Sequence, residues 1–137
     1  MIADFHTQAI AHTQGGRLVG VATRNGDNAR AFAQKHGLAL ATTRIDELVA
    51  RPDIHVVCIT TPSGAHLEPA LAAIRAGKHL IVEKPIEITT ERADELLRAA
   101  DAAGVKLSKQ TRAPALDPMK VSAQIVAALR FLGQQPP

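Results

Sequence analysis

Short runs of wholly or mostly apolar residues recur along the chain and limit the folds that are open to it. Leu80-Ile81-Val82 is one such run, and the mostly β-branched segment 54–60 is another. A run without polar alternation is typical of a strand that is buried on both faces, as in a parallel sheet covered by helices. We therefore expect a sheet whose strands are connected through helices.

Amphipathic helical segments separate these runs. Segment 66–76 places Leu67, Leu71 and Ile74 on one face, and Gly77 supplies its stop signal. Strand, helix and strand in this order form a βαβ unit, whose crossover is right-handed in nearly all cases. The other predicted elements are helices at 2–13, 27–36, 45–50 and 89–103, and strands at 17–23, 38–41 and 105–107. This alternation predicts a doubly wound α/β fold with a parallel sheet.

The composition is that of an ordinary globular domain. The chain has 137 residues, of which 46% are hydrophobic and 21% charged, enough for one domain with a real core. No apolar run approaches the roughly 20 residues that span a bilayer, and no signal peptide is visible. The single Cys58 lies in a predicted buried strand and can form no intrachain disulfide, so we expect a small core residue and a cytoplasmic protein.

The excess of positive charge is confined to the tail. Residues 1–108 carry as many acidic as basic side chains, and the net charge of +3 comes from residues 109–137. The chain has no Trp or Tyr and three Phe, so it lacks aromatic platforms on which single strands could stack. We therefore expect neither a nucleic-acid partner nor a membrane partner.

Polar residues follow the two apolar runs where each predicted strand ends. Glu83-Lys84-Pro85 follows one run, and Thr60-Thr61-Pro62-Ser63 ends the other. Ligands of parallel α/β sheets bind beyond the carboxyl ends of the strands. An acid and a base at this edge are costly unless they pair or serve a ligand. The segment is thus either a solvated strand end or part of a ligand site.

The combined pattern resembles the N-terminal dinucleotide-binding domain of the glucose-fructose oxidoreductase, inositol dehydrogenase and rhizopine-catabolism family, Gfo/Idh/MocA. The motif E-K-P after a strand, with T-P-x-x-x-H upstream, carries the resemblance together with L-V-G-V-A-T-R-N and A-D-E-L-L-R-A-A-D-A-A-G-V-K-L. The similarity covers residues 1 to about 107. It implies a Rossmann-like sheet, NAD or NADP as cofactor, and a sugar, polyol or related alcohol as substrate.

The resemblance also implies roles for single residues. Lys84 would contact the substrate hydroxyl and the nicotinamide region and assist proton transfer, and Glu83 would contact the ribose and nicotinamide side. Pro85 would follow a special peptide geometry that fixes the lysine, such as a cis bond. Ala3 aligns with the last position of the phosphate-binding glycine fingerprint. His66 is either a site residue or a first-turn helix residue that faces water. The remaining predicted cofactor-binding residues are Thr60, Thr61 and Pro62, with Ser63 close by.

The end of the strand at 17–23 selects the cofactor in this resemblance. An acid there binds the ribose 2′-hydroxyl in NAD enzymes, whereas a nearby arginine accommodates the 2′-phosphate of NADP. Here Thr23 holds the position and Arg24 follows it. NADP is favoured over NAD, because no carboxylate repels the phosphate and Arg24 can bind it.

Two departures from the family pattern bear on function. The family begins with a strand and a glycine-rich loop that holds the pyrophosphate, whereas Met1 lies near the end of that fingerprint. Residues 109–137 cannot encode the family's C-terminal α+β domain, and we predict a divergent basic tail with one helix at 117–132. Without the first strand, the strands at 17–23 and 54–60 lose a shared neighbour, so we expect a rearranged sheet unless another segment or chain fills the slot.

Functions of two classes therefore stay open. The chain is either a fragment of an NAD(P)-dependent oxidoreductase, with weakened nucleotide binding and lost catalysis, or a non-enzymatic module that binds a partner through an open sheet edge. A misassigned start codon or a shifted reading frame is a third explanation of the pattern. Association into a homo-oligomer is left open.

Overall fold

The computed structural model describes residues 2–104 as alternating helices and short strands. The elements are α1 (Ile2–Ala11), β1 (Gly20–Ala22), α2 (Gly26–His36), β2 (Leu40–Thr42), α3 (Ile45–Val49), β3 (Val56–Ile59), α4 (Leu67–Arg75), β4 (His79–Val82) and α5 (Thr90–Ala102). The predicted alternation is confirmed, although β1 and β3 are shorter than the segments 17–23 and 54–60. The predicted strand at 105–107, the domain boundary at 108 and the tail helix lie outside the described residues. None of the helices in this range is long and apolar enough to cross a membrane.

The strands form two separate parallel pairs. β1 pairs with β2, and β3 pairs with β4 with Ile59 opposite Val82. Within residues 2–104, β1 and β3 do not pair with each other. A cavity of about 430 Å³, lined by both of these strands, separates them. The expectation of a rearranged sheet is confirmed, and the strands have not closed up on each other.

The hydrophobic core lies around the β3–β4 pair. Leu80 of β4 and Leu96 of α5 are among the largest fully buried side chains, and they belong to a cluster that also includes residues of α3 and α4. The β1–β2 pair contributes only partly buried residues to this cluster, such as Ala22 and Leu40. The core therefore stabilises one strand pair more directly than the other.

The prediction that β3 and β4 are buried on both faces is wrong. Val57 and Leu80 are buried, but Val56 is 47% exposed and Ile81 is 37% exposed. Successive side chains of a strand point to opposite faces, and the core cluster covers only one of them. Val56 and Ile81 instead line the cavity.

Local contacts explain where α2 begins and why β1 lies close to β2. The Asn25 side chain accepts hydrogen bonds from the amides of Asp27 at 2.9 Å and Asn28 at 3.1 Å, which caps the first turn of α2. A Cβ atom at Gly20 would lie 2.7 Å from the Cβ of Leu40. Only glycine therefore fits at this position of β1.

Candidate functional site

The residues that follow β3 and β4 lie side by side at the carboxyl edge of this strand pair. Ile59 is in register with Val82, and the amide of Glu83 donates to the carbonyl of Ile59 at 3.0 Å. Thr60 and Glu83 are therefore neighbours on adjacent strands. This is the edge at which parallel α/β sheets bind ligands.

The cavity between β1 and β3 adjoins this edge. Three of the predicted cofactor-binding residues line it, namely Ala3 of α1 together with Thr60 and Thr61. The other predicted residues do not line this cavity. Pro62 and Ser63 are exposed in the loop that follows β3.

Thr23 and Arg24 are carried by the other strand pair. The amide of Thr23 donates to the carbonyl of Thr42 at 3.1 Å, which continues the β1–β2 pairing by one residue. Arg24 is exposed, and its guanidinium forms no hydrogen bond or ion pair within the part of the chain that the structure describes. It is therefore available to bind an anion.

Glu83 pairs with His6 and not with the side chain of Lys84. Oε1 of Glu83 lies 2.7 Å from Nε2 of His6, and Oε2 accepts from the amide of Lys84 at 3.2 Å. The bond to His6, followed by the Lys84 amide, holds the pKa of the Glu83 carboxyl below its ordinary value. Sequence reasoning missed His6, although it lies three residues after Ala3 and so on the same face of α1.

Lys84 and Pro85 are both exposed at the edge. The Lys84–Pro85 peptide bond is cis, which confirms the geometry that the resemblance implies. The ammonium of Lys84 makes no hydrogen bond or ion pair with residues 2–104. A free ammonium beside a fixed carboxylate offers one proton donor and one acceptor to a ligand.

His66 does not face water. Its side chain is 1% exposed, with Nε2 at 2.8 Å from the carbonyl oxygen of Thr61 and Nδ1 at 3.2 Å from that of Ile86. The ring thus lies between the loop that follows β3 and the loop that follows β4, and it contacts a carbonyl oxygen of each. The structure brings His66 next to Thr61 but not to the cavity surface.

Glu87 and Arg92 form a cluster with His66 that sequence reasoning missed. Oε1 of Glu87 accepts from the amides of His66 at 3.1 Å and Leu67 at 2.9 Å, and Oε2 accepts from Nε of Arg92 at 3.1 Å. The bond from Arg92 is the main cause that lowers the pKa of Glu87 to about 2, against the opposing effect of burial. An acid flanked by two isoleucines was the available signal of a buried, partnered carboxylate.

The donors and acceptors that follow the strands of the two pairs fit a dinucleotide cofactor. The threonine hydroxyls can hydrogen-bond to ribose or phosphate oxygens, and the guanidinium of Arg24 can bind a phosphate. Ala3 lies in the first turn of α1 and lines the cavity, and backbone amides at the start of a helix favour anions. Within residues 2–104, no group of three or more His, Cys, Asp or Glu side chains could hold a metal ion.

Comparison with known proteins identifies relatives of this arrangement. A family model described as "Oxidoreductase family, NAD-binding Rossmann fold" matches residues 1–111. A 1,5-anhydro-D-fructose reductase from Ensifer adhaerens is 41% identical over 93 residues, covering 68% of this chain and 28% of the relative. A scyllo-inositol 2-dehydrogenase (NADP(+)) from Bacillus subtilis is 48% identical over 64 residues, covering 47% of this chain and 18% of the relative. The crystal structure of an NAD binding oxidoreductase from Klebsiella pneumoniae has a TM-score of 0.64 at 35% identity, and the match covers 85% of this chain and 30% of that one.

The chain spans less than a third of the length of these relatives. The family match nevertheless extends over the whole described part of the chain, including α1, both strand pairs and the edge that carries Glu83 and Lys84. The order of helices and parallel strands agrees with the NAD-binding Rossmann fold of the family model. So do the polar groups at the strand ends, which can bind a nucleotide. The chain therefore belongs to the Gfo/Idh/MocA oxidoreductase family and carries its NAD-binding Rossmann fold.

Proposed function

We propose that this chain binds a nicotinamide dinucleotide, NADP in preference to NAD, as part of an oxidoreductase that acts on a sugar, polyol or related alcohol. One observation carries the proposal. The cavity lined by Ala3, Thr60 and Thr61 adjoins the edge at which Glu83 and Lys84 emerge from β4. A cytoplasmic location and the lack of a nucleic-acid partner stay predictions.

Each residue at the edge has a distinct role in this proposal. The bound nicotinamide supplies or accepts the hydride. Lys84 exchanges a proton with the substrate hydroxyl, because its ammonium is exposed and uncommitted within residues 2–104. Glu83, which His6 fixes at 2.7 Å, accepts a hydrogen bond from the ribose. Thr60, Thr61 and Pro62 would hold the dinucleotide at the end of β3.

The preference for NADP is supported at the end of β1. Thr23 and Arg24 follow this strand without a carboxylate, and Arg24 is exposed. A relative from Bacillus subtilis carries NADP(+) in its name. Arg24 therefore binds the 2′-phosphate in this proposal.

The proposal includes weak binding and no turnover by the 137-residue polypeptide on its own. Thr23 and Arg24 belong to one strand pair, whereas Thr60 and Glu83 belong to the other. Because the cavity separates the two pairs, the parts of the site are not held in one continuous sheet. The two strand pairs must be fixed relative to each other when the nucleotide binds, and the free energy that this costs reduces the affinity for the nucleotide.

Calorimetric titration of the 137-residue protein with NADPH and with NADH tests this function. We expect NADPH to bind more weakly than micromolar and NADH more weakly still, with no dehydrogenase activity on inositol or 1,5-anhydro-fructose. Absence of NADPH binding at millimolar concentration would refute nucleotide binding. Sustained turnover would refute the loss of catalysis.

A second function is favoured by the cavity itself, namely the binding of an extended segment of a partner chain. β1 and β3 each pair on one side only within residues 2–104, and both strands line the cavity together with apolar side chains such as Val21 and Val56. A parallel strand inserted there would hydrogen-bond to both edges. The occupant proposed is an apolar, β-branched strand of about five residues.

A synthetic peptide tests this second function. A labelled peptide with five consecutive Val and Ile residues between lysines should bind saturably, as measured by fluorescence anisotropy. A control peptide with proline at alternate positions lacks the required amide donors and should not bind. Equal binding of the two peptides, or binding of neither, would exclude strand insertion.

A further inference from the structure

We propose that His66 is a positioning residue, which ties the loop after β3 to the loop after β4 and so fixes Thr61 relative to Lys84. The importance of this tie for nucleotide binding rests on the proposed function, whereas the tie itself does not. His66 contacts neither cofactor nor substrate in this inference, because it is 1% exposed and does not line the cavity.

The side chain of His66 forms the first link between the loops. Nε2 lies 2.8 Å from the carbonyl oxygen of Thr61 in one loop, and Nδ1 lies 3.2 Å from that of Ile86 in the other. Carbonyl oxygens only accept hydrogen bonds. A ring nitrogen that carries a hydrogen therefore donates to the carbonyl that it faces.

The backbone of His66 forms a second link to the loop after β4. Its amide donates to Oε1 of Glu87 at 3.1 Å. Arg92 in turn donates to Glu87, to Glu68 on α4 and to the carbonyl of Gly64. Glu87, Arg92 and Glu68 are thus the charged groups of this cluster. Through the His66 amide and the Gly64 carbonyl, Glu87 and Arg92 bind the turn that carries His66.

The tie acts on the two groups that the proposed site needs. Thr61 lines the cavity, and Lys84 lies two residues before Ile86 in the same loop. Freeing either carbonyl from His66 lets the corresponding loop move away from the other. The separation of the cofactor-binding loop from the proton-transfer residue is then no longer fixed.

Amide hydrogen exchange without nucleotide tests the tie. His66→Leu removes both ring nitrogens at similar volume, and His66→Gln returns an amide donor that can reach Thr61. We expect amides at 61–65 and 84–88 to exchange about tenfold faster in the leucine variant, with those of α5 unchanged. The glutamine variant should recover protection at 61–65, which also keeps the test valid if the leucine variant folds poorly.

His79→Leu, at an exposed position of β4, should change nothing. Unaltered exchange, or a uniform rise over all elements, would overturn the tie.

Titration of the same variants with NADPH tests the positioning role. At equal folded fraction, we expect the leucine variant to bind about tenfold more weakly and the glutamine variant to lie between it and the wild type. Equal affinity despite loosened loops would show that His66 is merely structural. Absence of NADPH binding by the wild-type protein would overturn the proposed function and with it the role of the tie in binding, while the exchange experiment still decides the tie.

Discussion

Glu87 joins two chain segments because its two carboxylate oxygens bind different partners. Oε1 accepts from the amides of His66 and Leu67, at the start of α4, and Oε2 accepts from Arg92 on α5. A negative charge is favourable at the positive end of a helix. The carboxylate is therefore stabilised although its side chain is shielded from water.

Glu87→Ala should lower the free energy of unfolding more than Glu87→Gln. Alanine leaves the amides of His66 and Leu67 without their acceptor, at about 1–3 kcal/mol for each buried donor. Glutamine keeps an acceptor oxygen and loses the charge. Urea denaturation of both variants measures the difference, and equal losses would contradict the assigned role of the carboxylate oxygen.

Ionised Glu87 should also make stability depend on pH. Its pKa in the folded protein is about 2, below the ordinary value of 4.5. The charged form therefore contributes stability above pH 4.5, and this contribution is lost as the pH falls through the window from 4.5 to about 2. The difference in unfolding free energy between wild type and Glu87→Gln should thus be largest near neutral pH and shrink near pH 3. A difference that does not change with pH would exclude this linkage.

Arg24→Ala should weaken NADPH binding selectively. Loss of the guanidinium removes a charge-assisted bond to the 2′-phosphate, which we expect to reduce the affinity for NADPH about tenfold and to leave NADH unaffected. Calorimetry with both cofactors measures the ratio. Arg75→Ala is the matched control, because Arg75 lies in the last turn of α4 and is exposed. Equal losses for NADPH and NADH would remove Arg24 from the phosphate site.

The sequence was sufficient to locate Thr60 and Glu83 at strand ends, because the end of an apolar run is a local signal. It was not sufficient to find His6 or Glu87 as partners. His6 bonds to a residue 77 positions away, and Glu87 bonds to an amide 21 positions away. Such pairs depend on how helices pack, which no local pattern encodes.

At the level of single elements, a capping residue is a local signal because it lies beside the helix that it caps. Asn25→Ala should cost about 1 kcal/mol of unfolding free energy, since it removes the acceptor of two amides of α2. Arg44 holds the equivalent position of α3 but makes no side-chain cap bond in the described structure. Arg44→Ala should therefore stay within about 0.5 kcal/mol of wild type. Urea denaturation of the two variants compares them, and equal costs would contradict the capping role.

The burial of β3 and β4 was not predictable from the same runs. Apolar composition indicates that a strand can be covered, but the covering element must be supplied by the rest of the fold. Here α4 and the core cluster cover Val57 and Leu80, whereas Val56 and Ile81 face the cavity. The exposed faces are thus a property of the interrupted sheet rather than of the strands.

For the whole molecule, the two strand pairs should differ in local stability. The buried residues of the core cluster come mainly from α3, β3, α4, β4 and α5, while the β1–β2 pair contributes only partly buried side chains to it. Local opening is easier where fewer apolar contacts must be broken. Amides of β1 and β2 should therefore exchange with solvent faster than those of β3 and β4. Uniform protection of all four strands would contradict this order.

Helix α1 is attached to the rest of the protein in an unusual way. None of its ten residues is buried, and Phe5 is 68% exposed, while Asp4 bonds to Lys35 and His36 and His6 bonds to Glu83. Polar bonds between partly exposed groups hold it, and dissolved salt weakens ion pairs more than it weakens apolar packing. A rise in ionic strength should then detach α1 while the rest of the domain stays folded. Because residues of α1 line the cavity between β1 and β3, its detachment would widen the opening of that cavity.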